Sequence, residues 1–398
     1  MEKKNKVLNI IKWVVFTGIS FGVGSAIAFV LAIGCGLYGS MQSIWVGSAM
    51  KTYNHKYLAT WIVPENSINE IMSNVYDGGG DDVESKKKPT MPTTPTGADP
   101  TNPGQSEEQK YAAQGYEKID EGVYLKEVQG TIFGSTQKYV GYILLTVDPL
   151  RVKMVDTDKQ FGVGRQVSQM IEMAGGLYGI NGGGFIDGEE YNGNGGWPYG
   201  VIVENGEVVL GNFARMVCMD KEGTLILKAG NGQWAKENNI WSAHTTDAFL
   251  IVDGEGQITN GDGGWGFAPR SAIGQRESGE ILMLAIDGRQ PPSSWGGTLR
   301  DLQDILLDEG CINAAMLDGG SSTVLEKLVR DENGECTYFD VPGSSTKHPD
   351  VEFLNHPSLK IEIASDHEAY VNAQRYINNA WVVMPVGYKP GDESTDSE

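Results

Sequence analysis

The segment Leu317-Asp318-Gly319-Gly320-Ser321-Ser322-Thr323-Val324-Leu325 sets one carboxylate and three hydroxyl groups between two apolar runs. The apolar residues before Asp318 predict a buried strand, and the glycines after it let the backbone turn tightly. Successive N–H groups in such a turn form a concavity that favours anions. Asp318 is therefore a candidate catalytic carboxylate, and the turn is a candidate binding surface formed by Gly319, Gly320, Ser321, Ser322 and Thr323. The alternative is an ordinary β-turn with Asp-Gly at its corner.

Three other segments also join an apolar run to polar residues and glycine. One run ends in Asn181-Gly182-Gly183, a second begins at Arg270, and a third ends in Asp287-Gly288-Arg289. In sheets with helices packed on them, ligands gather at strand ends. We therefore expect these residues to meet Asp318 at one edge of a sheet.

The four motifs, in this order, resemble those of the phosphodiester glycosidase family over roughly residues 114–385. They read Asn181-Gly182-Gly183-Gly184-Phe185, Pro269-Arg270-Ser271-Ala272-Ile273-Gly274, Asp287-Gly288-Arg289 and Leu317–Thr323. Two positions depart from the family pattern, because Ser321 replaces a third glycine and Gly184 replaces an aromatic residue. The resemblance implies a substrate in which a sugar is joined to phosphate through its anomeric oxygen.

Cleavage of such a bond needs a group at the anomeric carbon and stabilisation of the departing phosphate. Glycosidic cleavage commonly uses two carboxylates, for which Asp318 is our first candidate and Asp287 our second. Arg270 and the glycine N–H groups are expected to stabilise the leaving group. Asn181, Gly182, Gly183 and Arg289 are expected to bind substrate.

Other polar and aromatic residues near the motifs are weaker candidates. Asp187, Glu189 and Asp247 could serve as carboxylates, and His244 as a base or a ligand, although an isolated histidine is more often packed. Phe185 and Trp197 could stack on a sugar, the alternative being core aromatics. Acids near Asp187 and Asp262 could hold calcium, although no recognised loop pattern fits, and no zinc spacing occurs.

The net charge of −21 argues against a nucleic-acid partner, because phosphate backbones are bound by clustered Lys and Arg. Residues 1–56 carry a balance of +5 and the remainder carries −26. An acidic body needs local cations to hold an anionic substrate, and the motifs supply Arg270 and Arg289.

The N-terminus predicts a membrane anchor. No charged residue occurs between Lys12 and Lys51, and residues 13–38 are long and apolar enough to cross a bilayer. The lysines before this span predict a cytoplasmic stub over residues 1–12 and an extracytoplasmic catalytic domain at the cell membrane. A cleaved signal peptide and a lipoprotein anchor at Cys35 are the alternatives.

Beyond the span, composition divides the chain into four parts. Residues 39–76 predict a juxtamembrane segment with a short helix, and residues 77–109, rich in Pro, Thr and Gly, predict a disordered linker. Residues 110–388 predict an α/β or α+β catalytic domain, a mixed β-sheet with few helices, and residues 389–398 an acidic disordered tail. Cys311 and Cys336 flank the Asp318 motif as candidates for a disulfide, and free thiols are the alternative.

The resulting hypothesis is a membrane-anchored hydrolase of sugar-1-phosphodiesters in a cell-surface glycan or exopolysaccharide. The alternatives are a metal-dependent phosphodiesterase that breaks the P–O bond and a non-catalytic polysaccharide-binding module.

Overall fold

The computed structural model describes residues 22–25, 27–36, 39–50, 56–73, 75–91, 105–157, 159, 161–186, 195–339, 348–358 and 374–391. They fall into two compact units: residues 1–75 with 264–266, and residues 76–263 with 267–398. The four motifs lie in the second unit, and all of their residues are described.

The first unit contains the helices Gly39–Met50, Tyr57–Thr60 and Glu65–Ser73. Its apolar core includes Ile33, Val46, Ala59, Val63 and Ile68. No helix among the described residues is both long and apolar enough to cross a membrane. Residues 13–21 of the predicted span lie outside the described residues, as does the predicted cytoplasmic stub.

The second unit is built mainly of strands. Its helices are Glu107–Ala112, Val167–Met173, Gly232–Glu237 and Leu299–Asp308, with 3₁₀ turns at Pro149–Arg151 and Gly320–Ser322. Its strands are β1 (Glu117–Asp120), β2 (Val123–Thr131), β3 (Lys138–Thr146), β4 (Val152–Asp156), β5 (Tyr178–Asn181), β6 (Val201–Glu204), β7 (Glu207–Gly211), β8 (Ala214–Asp220), β9 (Leu225–Gly230), β10 (Ile240–Thr245), β11 (Phe249–Val252), β12 (Glu255–Gly256), β13 (Arg270–Arg276), β14 (Ile281–Ile286), β15 (Cys311–Met316), β16 (Leu325–Leu328), β17 (Tyr338–Phe339), β18 (His348–Pro349), β19 (Val351–Phe353) and β20 (Asn379–Val383).

These strands form one large sheet and two smaller ones, with a short β17–β18 pair. The large sheet has the order β1-β2-β3-β14-β13-β15-β11-β12, and the smaller sheets run β7-β6-β10-β8-β9 and β19-β16-β5-β20-β4. The predicted domain, mainly β-sheet with few helices, is confirmed. The pairing within the three sheets is antiparallel throughout the described residues.

Two strand–helix–strand units carry motifs directly after their second strands. The helix Val167–Met173 joins β4 to β5, and the helix Leu299–Asp308 joins β14 to β15. In each unit a third strand lies between the two, β20 in one case and β13 in the other. The helix Leu299–Asp308 is fixed by a capping box, in which Thr298 Oγ1 accepts from the Asp301 N–H at 3.1 Å.

The predicted linker differs from the structure in its first half. We expected disorder from residue 77, but residues 76–91 run along the catalytic unit and bond to it. Val83 and Ser85 pair with β9, where Ala229 N donates to Val83 O at 2.9 Å and Ser85 N donates to Leu227 O at 2.9 Å. Backbone hydrogen bonds and the packing of Val83 on the core outweigh the low apolar content that predicted disorder. Residues 92–104 lie outside the described residues.

We expect a chain that starts at residue 105 to be less stable than one that starts at Tyr76. Without residues 76–91, Phe249 loses a hydrogen bond from its N–H to Gly78 O and another from Tyr76 Oη to its carbonyl. With the pairing to β9, the loss corresponds to about 3–5 kcal/mol at about 1 kcal/mol for each bond. Urea unfolding of both chains measures the difference, and equal midpoints would contradict this role of the segment.

Other local expectations fell outside the described residues or were replaced. Residues 392–398 of the predicted tail lie outside the described residues. Cys311 and Cys336 are free thiols in the structure, as are Cys35 and Cys218, so the candidate disulfide does not form.

Candidate active site

The register of the large sheet places three of the motifs at the same end of neighbouring strands. Arg270 at the start of β13 pairs with Ile286, the residue before Asp287, at the end of β14. Ala272 pairs with Met316, so Asp318 follows on the other side of β13. Because neighbouring strands lie about 4.8 Å apart, these groups form a short row along the edge.

The row continues beyond Asp318 to Asp247. β11 pairs with β15 through Phe249 and Ala315, so the residues before β11 lie beside the end of β15. The hydroxyl of Thr246 donates to Met316 O at 2.6 Å and holds this crossing. Asp247, a weaker candidate from the sequence, is therefore the carboxylate that the fold sets next to Asp318.

Asn181 orients Asp318 rather than presenting its own amide to a substrate. It is fully buried at the end of β5, and its Nδ2 donates to the Asp318 carbonyl at 2.6 Å. Its Oδ1 accepts from Ser271 Oγ at 2.8 Å and from Val324 N at 3.2 Å. The amide is therefore occupied in tying three motif segments together.

The glycine N–H groups do not form the anion-binding concavity expected from the sequence. Gly319 N donates to Asp318 Oδ1 at 2.9 Å, and Gly320 N donates to Pro269 O at 2.8 Å. Gly182 N and Gly183 N donate to the backbone carbonyl and the side-chain oxygen of Asn379 at 2.9 and 2.8 Å. Buried backbone donors pair within the protein, and these four have done so.

The glycines are instead required by close packing. A β-carbon at Gly182 would lie 1.9 Å from Asn379 Oδ1, and one at Gly183 would lie 2.3 Å from Thr245 O. Gly320 has φ +65°, which disfavours other residues. Among the hydroxyl residues of the turn, Ser322 and Thr323 are buried, and Ser321 is partly exposed. Of the three hydroxyl residues in this turn, Ser321 alone is accessible.

Two arginines lie against the Asp318 turn. A β-carbon at Gly319 would lie 3.6 Å from Arg270 Nη1, and one at Gly320 would lie 3.4 Å from Arg289 Nη2. Arg270 is buried and its Nε donates to Gly297 O at 3.2 Å, while Arg289 reaches solvent. Burial and the like charge of Arg289 lower the pKa of Arg270 to about 10. Arg289 also has φ +60°, an uncommon conformation for a residue with a β-carbon.

The carboxyl group of Asp318 is perturbed by its surroundings. Burial is the main cause that raises its pKa to about 6, and the negative charge of Asp247 adds to the rise. The Ser322 hydroxyl, the Arg375 guanidinium and the Gly319 N–H oppose it. A carboxyl group with a raised pKa, beside a second carboxylate, is typical of acid–base catalysis.

Asp247 is held by Tyr199, whose hydroxyl donates to its Oδ1 at 2.6 Å. A β-carbon at Gly184 would lie 2.9 Å from the Tyr199 hydroxyl. The departure from the family pattern at Gly184 therefore leaves room for a tyrosine that orients the second carboxylate. Sequence reasoning did not single out Tyr199, because its partner lies 48 residues away.

The segment 374–379 packs on the first motif and contributes an arginine that the sequence did not indicate. Asn378 Nδ2 donates to Gly184 O at 3.4 Å, and the Cζ of Arg375 lies 4.8 Å from the centre of the Phe185 ring. The Phe185 ring therefore makes a cation–π contact with the Arg375 guanidinium. Trp197 is 55 % exposed and remains a candidate sugar contact.

The hydrogen-bond partners of Asp287 and His244 do not fit the catalytic roles predicted for them. The Asp287 carboxylate is buried and bonds to Asn355 and His356, so it does not share a cavity surface with Asp318 as a second carboxylate. His244 is fully buried, and its Nε2 accepts from Trp381 Nε1 at 2.7 Å. Burial lowers the pKa of His244 to about 4, which keeps it neutral and structural.

The candidate calcium ligands are only partly described. Asp187 and Glu189 lie outside the described residues. Within the described ranges, no group of three or more His, Cys, Asp or Glu side chains could hold a metal ion. The calcium site stays an untested prediction.

Comparisons with known proteins agree with this fold. The family model for phosphodiester glycosidase matches residues 174–384, just over half of the chain. A zebrafish structure, the N-acetylglucosamine-1-phosphodiester alpha-N-acetylglucosaminidase catalytic domain auto-inhibited by pro-peptide, superposes with a TM-score of 0.50. The identity is 17 %, over 77 % of this chain and 97 % of that one.

Two further matches are more distant or shorter. A hypothetical protein from Synechocystis superposes with a TM-score of 0.46 at 14 % identity, over 67 % of this chain and 63 % of that one. The uncharacterized SPbeta prophage-derived protein YomE of Bacillus subtilis (strain 168) is 51 % identical over 55 residues, which are 14 % of this chain and 8 % of that protein. On the family match, the chain belongs to the phosphodiester glycosidase family.

Proposed function

We propose that this protein hydrolyses sugar-1-phosphodiesters, with water replacing the phosphate at the anomeric carbon. The observation that carries the proposal is the pair Arg270 and Arg289, held beside each other against the turn of Asp318. Two neighbouring guanidinium groups repel, and a bound phosphate relieves that repulsion while forming charge-assisted hydrogen bonds. The name of the zebrafish relative supports the choice of bond.

Asp318 and Asp247 supply the two carboxylates that glycosidic cleavage commonly uses. Asp318 acts at the anomeric carbon, since the arginine pair lies on one side of its turn and Asp247 on the other. Asp247, held by Tyr199, is the partner that takes or returns the proton of water. The phosphate then faces the arginines, and the sugar faces Tyr199, Phe185 and Trp197.

The test is to incubate the purified chain with α- and β-sugar-1-phosphodiesters in ¹⁸O-labelled water. We expect the label in the released sugar, because the C–O bond breaks. Label in the phosphate, together with loss of activity when a chelator is added, would favour the metal-dependent phosphodiesterase. Binding without turnover of any diester would favour the polysaccharide-binding module.

The dependence of kcat on pH should follow the protonation of the Asp318 carboxyl group. Its pKa is raised to about 6, so kcat should rise with pH through this value if the carboxylate form is active. Arg375→Gln removes a charge that lowers this pKa and should move the acid limb to higher pH. Arg375→Lys keeps the charge and should leave the limb in place. Identical limbs in all three proteins would separate Asp318 from the pH dependence.

We further propose that residues 13–38 anchor the protein in the cell membrane, with the catalytic unit outside and a phosphorylated cell-surface glycan as substrate. The long uncharged segment after four lysines supports this arrangement. Fractionation of cells that express the chain with and without residues 1–38 tests it. Recovery of the full chain in the soluble fraction would contradict the anchor.

A further inference from the structure

The buried carboxylate of Asp287 is hydrogen-bonded to one neighbouring segment, residues 355–356. Its Oδ1 accepts from Asn355 Nδ2 at 3.0 Å and from the His356 N–H at 2.8 Å. Its Oδ2 lies 2.9 Å from His356 Nδ1. Three hydrogen bonds to one carboxylate, which is 2 % exposed, fix the orientation of the imidazole.

The imidazole itself faces solvent. The side chain of His356 is 68 % exposed, although its partner is buried. With Nδ1–H directed at Asp287, Nε2 is the nitrogen that points away from this contact. A carboxylate that fixes one ring nitrogen leaves the other to exchange protons, as in catalytic histidine pairs.

Holding the backbone in place does not require this ring. Gln290 Nε2 donates to the His356 carbonyl at 2.8 Å, and Asn355 Oδ1 accepts from Leu325 N at 2.7 Å. These contacts and the His356 N–H already secure the segment. Among the described residues, the other titratable group against the ring is Tyr142, whose hydroxyl lies 3.4 Å from Nδ1. Burial and the nearby Asp287 raise the pKa of Tyr142 to about 12, so it stays neutral.

Asp287 and His356 lie close in the fold to the two arginines, Arg270 and Arg289. Asp287 follows β14, the strand beside Arg270, and Arg289 is two residues further along the same turn. Arg289 reaches Gly320 in the turn of Asp318. His356 bonds through its carbonyl to Gln290, the residue after Arg289, and its ring packs on Tyr142 of β3. It therefore lies on the β14 side of the site, whereas Asp247 lies beside β11.

We propose that His356, oriented by Asp287, binds the phosphate of the substrate and protonates its bridging oxygen as the bond to the sugar breaks. The inference rests on the proposed function. The C–O bond breaks, its electron pair stays on the phosphate oxygen, and that oxygen takes the proton from Nε2. Water adds to the anomeric carbon and gives its proton to a site carboxylate. The carboxylate then releases that proton to solvent, and solvent returns a proton to His356.

The first experiment measures sulfate binding to the purified full chain by calorimetry at pH 5.5 and pH 8. Sulfate mimics phosphate but keeps its charge over this range. We expect affinity to be about tenfold higher at pH 5.5 than at pH 8, because a charged donor binds an anion more tightly than a neutral one. His356→Gln should weaken the pH dependence to the part that Asp318, with its pKa of about 6, contributes. His356→Arg should show this same residual dependence at higher affinity, and Tyr142→Phe should behave as the wild type. Equal pH dependence in wild type and His356→Gln would overturn the inference.

The second experiment measures turnover of a phosphodiester. We expect His356→Gln to lower kcat about 10²-fold, the usual scale for a lost general acid, with an unchanged melting temperature. Asp287→Asn should lower kcat in the same direction, because it no longer fixes the tautomer. Wild-type kcat in His356→Gln would overturn the proton transfer. Histidine-dependent sulfate binding in a protein that cleaves no diester would support the anion site and reject the proposed reaction.

Discussion

Asp318→Asn should abolish turnover, with kcat falling by about 10³-fold or more, and leave the fold intact. Asparagine keeps the size of the side chain and an oxygen that can accept from the Gly319 N–H. It removes the negative charge and the ability to accept a proton. Loss of a catalytic carboxylate is an effect of this order because its role is confined to the transition state.

The measurement is kcat on the best diester of the panel, with circular dichroism and melting temperature for each variant. Because burial raises the pKa of Asp318, the charged form is disfavoured in the folded protein, and Asp318→Asn should melt no lower than the wild type. The matched control is Asp308→Asn, the same chemical change at an exposed position at the end of the helix Leu299–Asp308. Turnover by Asp318→Asn at the wild-type rate would remove Asp318 from the mechanism.

Arg289→Ala should lower kcat/KM for phosphodiesters by about 10²-fold, or ~2.7 kcal/mol at 1.36 kcal/mol for each factor of ten. Arg289 reaches solvent beside the turn of Asp318, whereas Arg270 is buried and helps to hold Gly297. Arg289→Lys keeps the charge but loses the two-pronged geometry, so an intermediate loss is expected.

An uncharged aryl glycoside is the control substrate for Arg289. Its hydrolysis should be unaffected in Arg289→Ala if the arginine recognises phosphate. Arg289→Gly tests the backbone separately, because glycine adopts φ +60° without strain. This variant should melt no lower than Arg289→Ala and lose the same activity. An equal loss on both substrates would assign Arg289 to the fold of the turn rather than to phosphate binding.

Local patterns predicted many elements because their causes lie within a few residues. The dipeptide Asn205-Gly206 between two apolar runs predicts a hairpin, and β6 and β7 form it with φ values of 51° and 79° that suit a type I′ turn. Apolar residues at helical spacing, closed by Gly310, predict a helix over residues 298–307, and the structure has it at Leu299–Asp308. Both depend on short-range signals, a turn dipeptide and an apolar face with a capping residue.

Strands with buried polar residues were not predicted. β10 carries Ser242 and His244, and β20 begins at Asn379, all of them buried. Polar residues break the apolar pattern that identifies a strand. Their partners are distant in sequence, since Ser242 bonds to Met154 N, His244 to Trp381 and Asn379 to Gly183. No local pattern carries that information.

The sequence by itself determined the family and the four polar strand ends from Asn181 to Asp318, because both are properties of short motifs in a fixed order. Only the tertiary structure decided what each motif does. The N–H groups of Gly182 and Gly319 donate to acceptors within the protein, and the Asp287 carboxylate bonds to His356. The physical reason is that a buried donor or carboxylate must find a partner, and the available partners are set by chain segments far away.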